Sequence, residues 1–167
     1  MHHRNPITMA ALAATNAAGS VVIGDGPHFW AAPYEVGREF GGRGLPTMIP
    51  QDALTPRTKG SIMTSTTLVV VATDALLTKA QARRLAVMAQ DGVARAIFPV
   101  HTSLDGDVVF AAATGARPLA DPVFALTRLG ASAANVAARA IARGVYEARA
   151  LAFAGALPCY QDRFGGA

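Results

Sequence analysis

Cysteine is almost missing from this chain. Cys159 stands alone among 167 residues, which excludes an intrachain disulfide and fits a cytoplasmic location. Placed after Pro158, it reads as a small buried apolar residue with no chemical role. Charge is scarce as well: Asp, Glu, Lys and Arg make up 16% of the chain, against 51% hydrophobic residues. The formal net charge is +4, and the Lys and Arg residues are scattered. A nucleic-acid surface would gather them into a patch, so no nucleic-acid partner is expected. Apolar runs stay short despite the composition. None reaches the ~18 residues that suggest a transmembrane helix, and no membrane partner is expected. The opening residues His2, His3, Arg4, Asn5 and Pro6 lack the apolar core of a secretory signal. No internal repeat is visible. The length suits one domain.

What the chain does have is Ala-rich and Val-rich patterning. Residues 7–16 read as a strand ended by Asn16 and Gly19, with a brief continuation at 21–23. Gly24, Asp25, Gly26 and Pro27 then form a strong turn signal. Pro27, Pro33, Pro46, Pro50 and Pro56 crowd the next segment, with Gly37, Gly41, Gly42, Gly44 and Gly60 between and after them. Phe29, Trp30 and Tyr34 can anchor its start, and 34–40 suggests a short helix; the remainder reads as loop. A loop of this length inside a compact domain marks function more often than filler.

Leu68, Val69, Val70, Val71 and Ala72 are apolar without alternation, as in a strand buried on both faces. Thr78 and Gln81 make a capping box that opens a helix. Ala82, Leu85, Ala86, Ala89 and Val93 give that helix one buried face. Pro99 stops the segment after this helix, and Asp105 with Gly106 makes a turn. Residues 108–113 read as the next strand, closed by Thr114 and Gly115. A mixed connection over 119–129 holds Pro122. Residues 132–149 form a long Ala-rich helix, with Ser132 as its cap and Arg143 and Arg149 near its C-terminal end. The order strand, loop, strand, helix, strand, helix gives an α+β fold.

The densest chemistry lies where Thr64, Ser65, Thr66 and Thr67 precede the apolar strand. A hydroxyl at the mouth of a buried strand is held rigidly, as a nucleophile must be, although an ordinary strand entrance has the same composition. Asp105 and Asp107, two residues apart in a turn, can aim both carboxylates into one cleft, or both can face solvent. A metal site from these two and His101 would be three ligands in one turn, a weak signal, and no cofactor is expected. His101 is expected to bond a backbone group near the turn. Asn16, before two alanines and a glycine, reads as a turn residue.

Five segments in order carry a family resemblance: residues 12–20, 66–74, 90–102, 101–115 and 158–164. Together they resemble the L-aminopeptidase/D-esterase family, which includes the β-peptidyl aminopeptidases. The resemblance implies a self-cleaving hydrolase whose nucleophile becomes a new chain N-terminus, on a four-layer αββα sandwich. The matching nucleophile is Thr66, so the implied cut lies between Ser65 and Thr66, giving pieces 1–65 and 66–167. Ser61, after Gly60, is a competing candidate five residues out of register. A terminal Thr can use its own α-amine, with pKa near 8, as the base. Asn16 matches the residue that helps stabilise the attacked carbonyl. Asp105 and Asp107 match a polar pair that would hold an incoming ammonium or orient the nucleophile's amine. The substrate would be a small peptide, amide or ester. Family members form homo-oligomers and are about twice this length, so the chain is expected to be a C-terminal half. Ser65 departs from the family, which carries Asn or Gly before the scissile bond, residues more tolerant of strained backbone. The alternative is an unprocessed, inactive fragment or structural subunit.

Overall fold

In the computed structural model, which describes residues 6–56 and 65–165, three strands form one sheet in the order β1-β2-β3. The strands are β1 (Met9–Asn16), β2 (Thr66–Ala75) and β3 (Val108–Arg117). β1 and β2 are antiparallel, with Asn16 opposite Thr66 and Met9 opposite Thr73. β2 and β3 are parallel, with Leu68 opposite Val108. A parallel pair needs a crossover, and helix α1 (Lys79–Ala96) supplies it. Thr78 starts α1 as expected: its hydroxyl accepts from Gln81 N at 3.2 Å while Gln81 Oε1 accepts from Thr78 N at 2.9 Å.

Helix α2 (Pro122–Glu147) is longer than the reading of 132–149. Asp121, not Ser132, caps it, accepting from Phe124 N at 3.4 Å. Pro122 opens the helix instead of interrupting it, because a first-turn proline loses no helical hydrogen bond. Arg149 lies beyond the helix end. α1 and α2 pack against one another and against one face of the sheet. Gly92 of α1 lets them meet closely, since a Cβ there would strike the Ala134 carbonyl oxygen.

The core sits between sheet and helices. Val69, Val71 and Ala75 of β2 are fully buried against Leu85, Ala89 and Val93 of α1 and Ala133, Ala137 and Ile141 of α2. Each larger side chain buried here contributes roughly 1.5–3 kcal/mol. The other face of the sheet is bare: Leu12 is 75% exposed, Phe110 56%, Leu68 45% and Val70 39%. The continuous apolar run of β2 is therefore covered on one side only. No element of the described chain lies over the second side, so the α+β class is observed with a single sheet and a single helical layer.

The glycine- and proline-rich segment folds onto the C-terminal end of α2. In place of a helix over 34–40 it has a single short turn, Ala32–Tyr34, and a second at Gln51–Leu54. The Glu35 carboxylate accepts from Phe40 N at 2.8 Å and Gly42 N at 2.9 Å, which holds the chain in turns where a helix would need those amides. Glu39 grips Arg139 through two hydrogen bonds, one of 2.9 Å. Phe29, Phe40, Tyr146, Tyr160 and Phe164 form an aromatic cluster around the last helix, α3 (Tyr160–Phe164). Cys159, before α3, is half-buried with a free thiol. Ser61 and Gly60 lie outside the described residues.

Candidate active site

Ser65, Thr66 and Thr67, Asn16 and the Asp105–Asp107 turn come together at one end of the sheet; Thr64 lies outside the described residues. Thr66 is the first residue of β2 and faces the bare side, directly across the strand pair from Asn16. Its Oγ1 lies 2.8 Å from the Ser65 carbonyl oxygen, the acceptor of its hydrogen bond. That same carbonyl accepts a second hydrogen bond, from Gly106 N at 2.8 Å. Ser65 is buried and bridges Asp105 in the parallel sense. Two donors thus converge on the oxygen of the peptide bond that precedes Thr66.

The loop between α1 and β3 is built to hold Gly106 still. Ser20 and Phe98 exchange backbone hydrogen bonds of 2.9 Å in each direction, tying the loop's start to the segment after β1. Asp105 staples its far side. Its Oδ1 accepts from Ala18 N at 3.0 Å, and its Oδ2 accepts from Thr102 N at 3.1 Å and Thr102 Oγ1 at 2.8 Å. Burial pushes the Asp105 carboxyl up, but those hydrogen bonds outweigh it and leave it below the usual 3.8. Asp105 therefore stands ionised at neutral pH, with both oxygens committed to the loop.

Asp107 is arranged differently. It points to the helix-covered side, where its carboxylate is 3% exposed, and Oδ1 accepts from Thr67 N at 2.7 Å. His101 Nδ1 stands 3.1 Å from Oδ2, an ion-pair distance without hydrogen-bond alignment. Among the described residues His101 thus meets a side-chain carboxylate and not a backbone group, and it does so in the left-handed region, φ 49°. Non-glycine residues take that conformation at a cost and mostly where the surroundings require it. Behind the site, Thr15 and Thr67 face one another across β1 and β2, their hydroxyls buried without hydrogen-bond partners.

The structure therefore brings four sequence-named residues to one strand end but splits them between two faces. Thr66 and Asn16 are on the bare side, Asp107 is beneath the sheet, and Asp105 lies in the turn that joins β3. Two contributors were not named from sequence. The Gly106 amide has no side-chain signature at all. Thr102 did have one: a Thr three residues before an Asp is the spacing of a reciprocal cap, here closing a turn with no helix after it. Among the described residues no group of three or more His, Cys, Asp or Glu is placed to hold a metal ion, and no helix is long and apolar enough to cross a membrane.

Residues 1–156 match the model of peptidase family S58. A Mycobacterium tuberculosis protein named as an uncharacterized aminopeptidase is 40% identical over 174 residues, covering 96% of this chain and 49% of its own length. A Mycobacterium bovis protein of the same description matches to the same extent. A Mycobacterium leprae counterpart is 45% identical over 113 residues, covering 62% of this chain and 30% of itself. The chain spans about half the length of the first two relatives. With a family match over nearly all its residues, and a resemblance that its strand ends already carry, the chain belongs to peptidase family S58.

Proposed function

We propose that this chain forms the nucleophile-bearing part of an aminopeptidase that releases N-terminal residues from small peptides, amides or esters. Thr66 is the nucleophile, freed when the bond between Ser65 and Thr66 is cut, so that pieces 1–65 and 66–167 persist together. The observation that carries this reading is the Thr66 hydroxyl, seated 2.8 Å from the carbonyl oxygen of the bond to be cut. Proximity of this kind replaces an encounter in solution and supplies a large part of an acyl-transfer rate.

The chemistry has two rounds. In the first, Thr66 Oγ attacks the Ser65 carbonyl carbon, the C–N bond breaks, the hydroxyl proton ends on the Thr66 nitrogen, and water hydrolyses the resulting ester. In the second, the new α-amine takes the proton from its own hydroxyl, and Thr66 Oγ attacks the substrate carbonyl. The substrate's amine departs with the proton, and water releases the acyl group. Asn16, opposite Thr66, supports the developing negative charge. Asp107, bonded to Thr67 N, fixes the backbone beside the nucleophile. Asp105 contributes through the turn it staples.

After the cut the pieces have ample reason to stay joined. The β1–β2 ladder, the Glu39–Arg139 pair and the aromatic cluster all cross the break. The bare sheet face is proposed to receive a second sheet in the full-length enzymes, completing a four-layer αββα sandwich whose copies assemble as homo-oligomers. A contiguous apolar surface of this sort marks an interface.

A second reading, an unprocessed structural subunit, is favoured by the burial of Ser65 at a position where strain assists cleavage. Turnover separates the two. The native protein should release the first residue of short peptides or aminoacyl amides, Thr66→Ser should retain part of that rate, and Thr66→Ala should lose roughly 10³-fold or more. Equal rates for Thr66→Ala and wild type would remove Thr66 from the chemistry.

A further inference from the structure

We propose that the backbone N–H of Gly106 is the oxyanion donor for cleavage of the bond between Ser65 and Thr66. The inference rests on the reading of that bond as the processing site and adds the group that makes its carbonyl electrophilic. When Thr66 Oγ attacks the Ser65 carbon, negative charge collects on the Ser65 oxygen. Gly106 N already donates to that oxygen at 2.8 Å. The second ground-state donor to it, the Thr66 hydroxyl, gives up its bond on becoming the attacking atom. Among the described residues, Gly106 is the donor that remains in place.

A donor contributes to catalysis in proportion to how little it must move as charge develops. Gly106 is anchored on both sides. Asp105, immediately before it, accepts three hydrogen bonds from Ala18 and Thr102. Asp107, immediately after, is bonded to Thr67 N at 2.7 Å, so the residues flanking the amide are tied to the residues flanking the scissile bond. The absence of a side chain at position 106 is part of the design. A Cβ there would stand 2.9 Å from Thr66 Oγ1 and 3.6 Å from the Ser65 oxygen, pressing on the attacking hydroxyl. A simple ladder hydrogen bond between β2 and β3 would not require that clearance. Asp105-Gly106-Asp107, a plain turn by its residue types, is therefore an amide held between two anchors with its only side chain removed from the path of attack.

The test replaces the Gly106 amide with an ester, by incorporating glycolic acid at position 106 during cell-free translation of the whole protein. This deletes the N–H and adds no atom near Thr66. The disappearance of uncut chain is followed over time beside wild type and Thr66→Ala. Loss of the donor should slow cleavage roughly 10²–10³-fold while the circular dichroism of the folded chain is kept. Gly106→Ala, which retains the N–H but crowds the hydroxyl, should also cleave more slowly and reads the clearance separately; if the ester chain does not fold, Gly106→Pro, which also lacks the N–H, stands in for it. A wild-type cleavage rate in the folded ester chain, or in folded Gly106→Pro, overturns the role of the Gly106 N–H. A wild-type chain never cut between 65 and 66 overturns the underlying reading of the site instead.

Discussion

The two faces of the sheet come from the same three strands and have opposite fates. On one, Val69 and Val71 are sealed beneath α1 and α2 with no exposure at all. On the other, Leu12, Leu68, Val70 and Phe110 stand open. Their composition does not differ much, for both are largely apolar. What differs is the chemistry at the end of each. The sealed face ends in Asp107, which braces the backbone at Thr67 N, and in the buried hydroxyls of Thr15 and Thr67. The open face ends in Asn16 and Thr66, paired across β1 and β2. Stability is concentrated on the first face, and the proposed nucleophile stands on the second.

Substitutions that treat the faces unequally put this contrast to work. The largest expected effect is on the sealed side. Leu85→Ala deletes a fully buried side chain under β2 and should destabilise the chain by about 2–5 kcal/mol in denaturant unfolding. A loss under about 1 kcal/mol would mean that the helices cover the sheet loosely.

A middle-sized effect belongs to the turn joining the two faces. Asp105 has a folded-state pKa below its unfolded value, so its stabilising contribution is present above about pH 4 and disappears as pH falls through the folded value. Glu39 behaves in the same sense, because its hydrogen bond to Arg139 pulls its carboxyl down. Unfolding followed against pH should therefore show stability falling on the acid side of about pH 4. Asp105→Asn should lower stability at neutral pH and flatten that acid limb. An unchanged limb would remove Asp105 from the staple.

The smallest effect is expected on the open side. Leu12→Lys should leave the stability of the 167-residue chain within about 0.5 kcal/mol of wild type. In a full-length relative the matching substitution should be costly, because a charge would be buried between sheets. Equal behaviour in the two settings would contradict the second sheet proposed for this face.

Much of the sealed face was legible in the residues. The Thr78–Gln81 box starts α1 where it should, and Leu85, Ala89 and Val93 are all buried. Other elements misled for identifiable reasons. Pro122 marked a mixed connection, yet it takes the first turn of α2, and Gly130 inside that helix clears space for Met88, whose side chain a Cβ would strike. β2 read as doubly buried because an apolar run does not say which chain covers it. At the site, Thr66 facing Asn16 followed from strand register, which residue patterning could not supply. The His101–Asp107 contact depends on a left-handed residue, and the Gly106 hydrogen bond on a backbone group. Neither leaves a mark in composition or spacing.

In the proposed mechanism the bond before Thr66 is opened by the Thr66 hydroxyl itself. Intact-mass analysis and N-terminal sequencing of the native protein, beside Thr66→Ala, read that event directly. A piece beginning at Thr66 is expected in the native protein, and a continuous chain through residues 65 and 66 in the variant. A native protein uncut at that bond, or a variant cut there as readily as wild type, would contradict it.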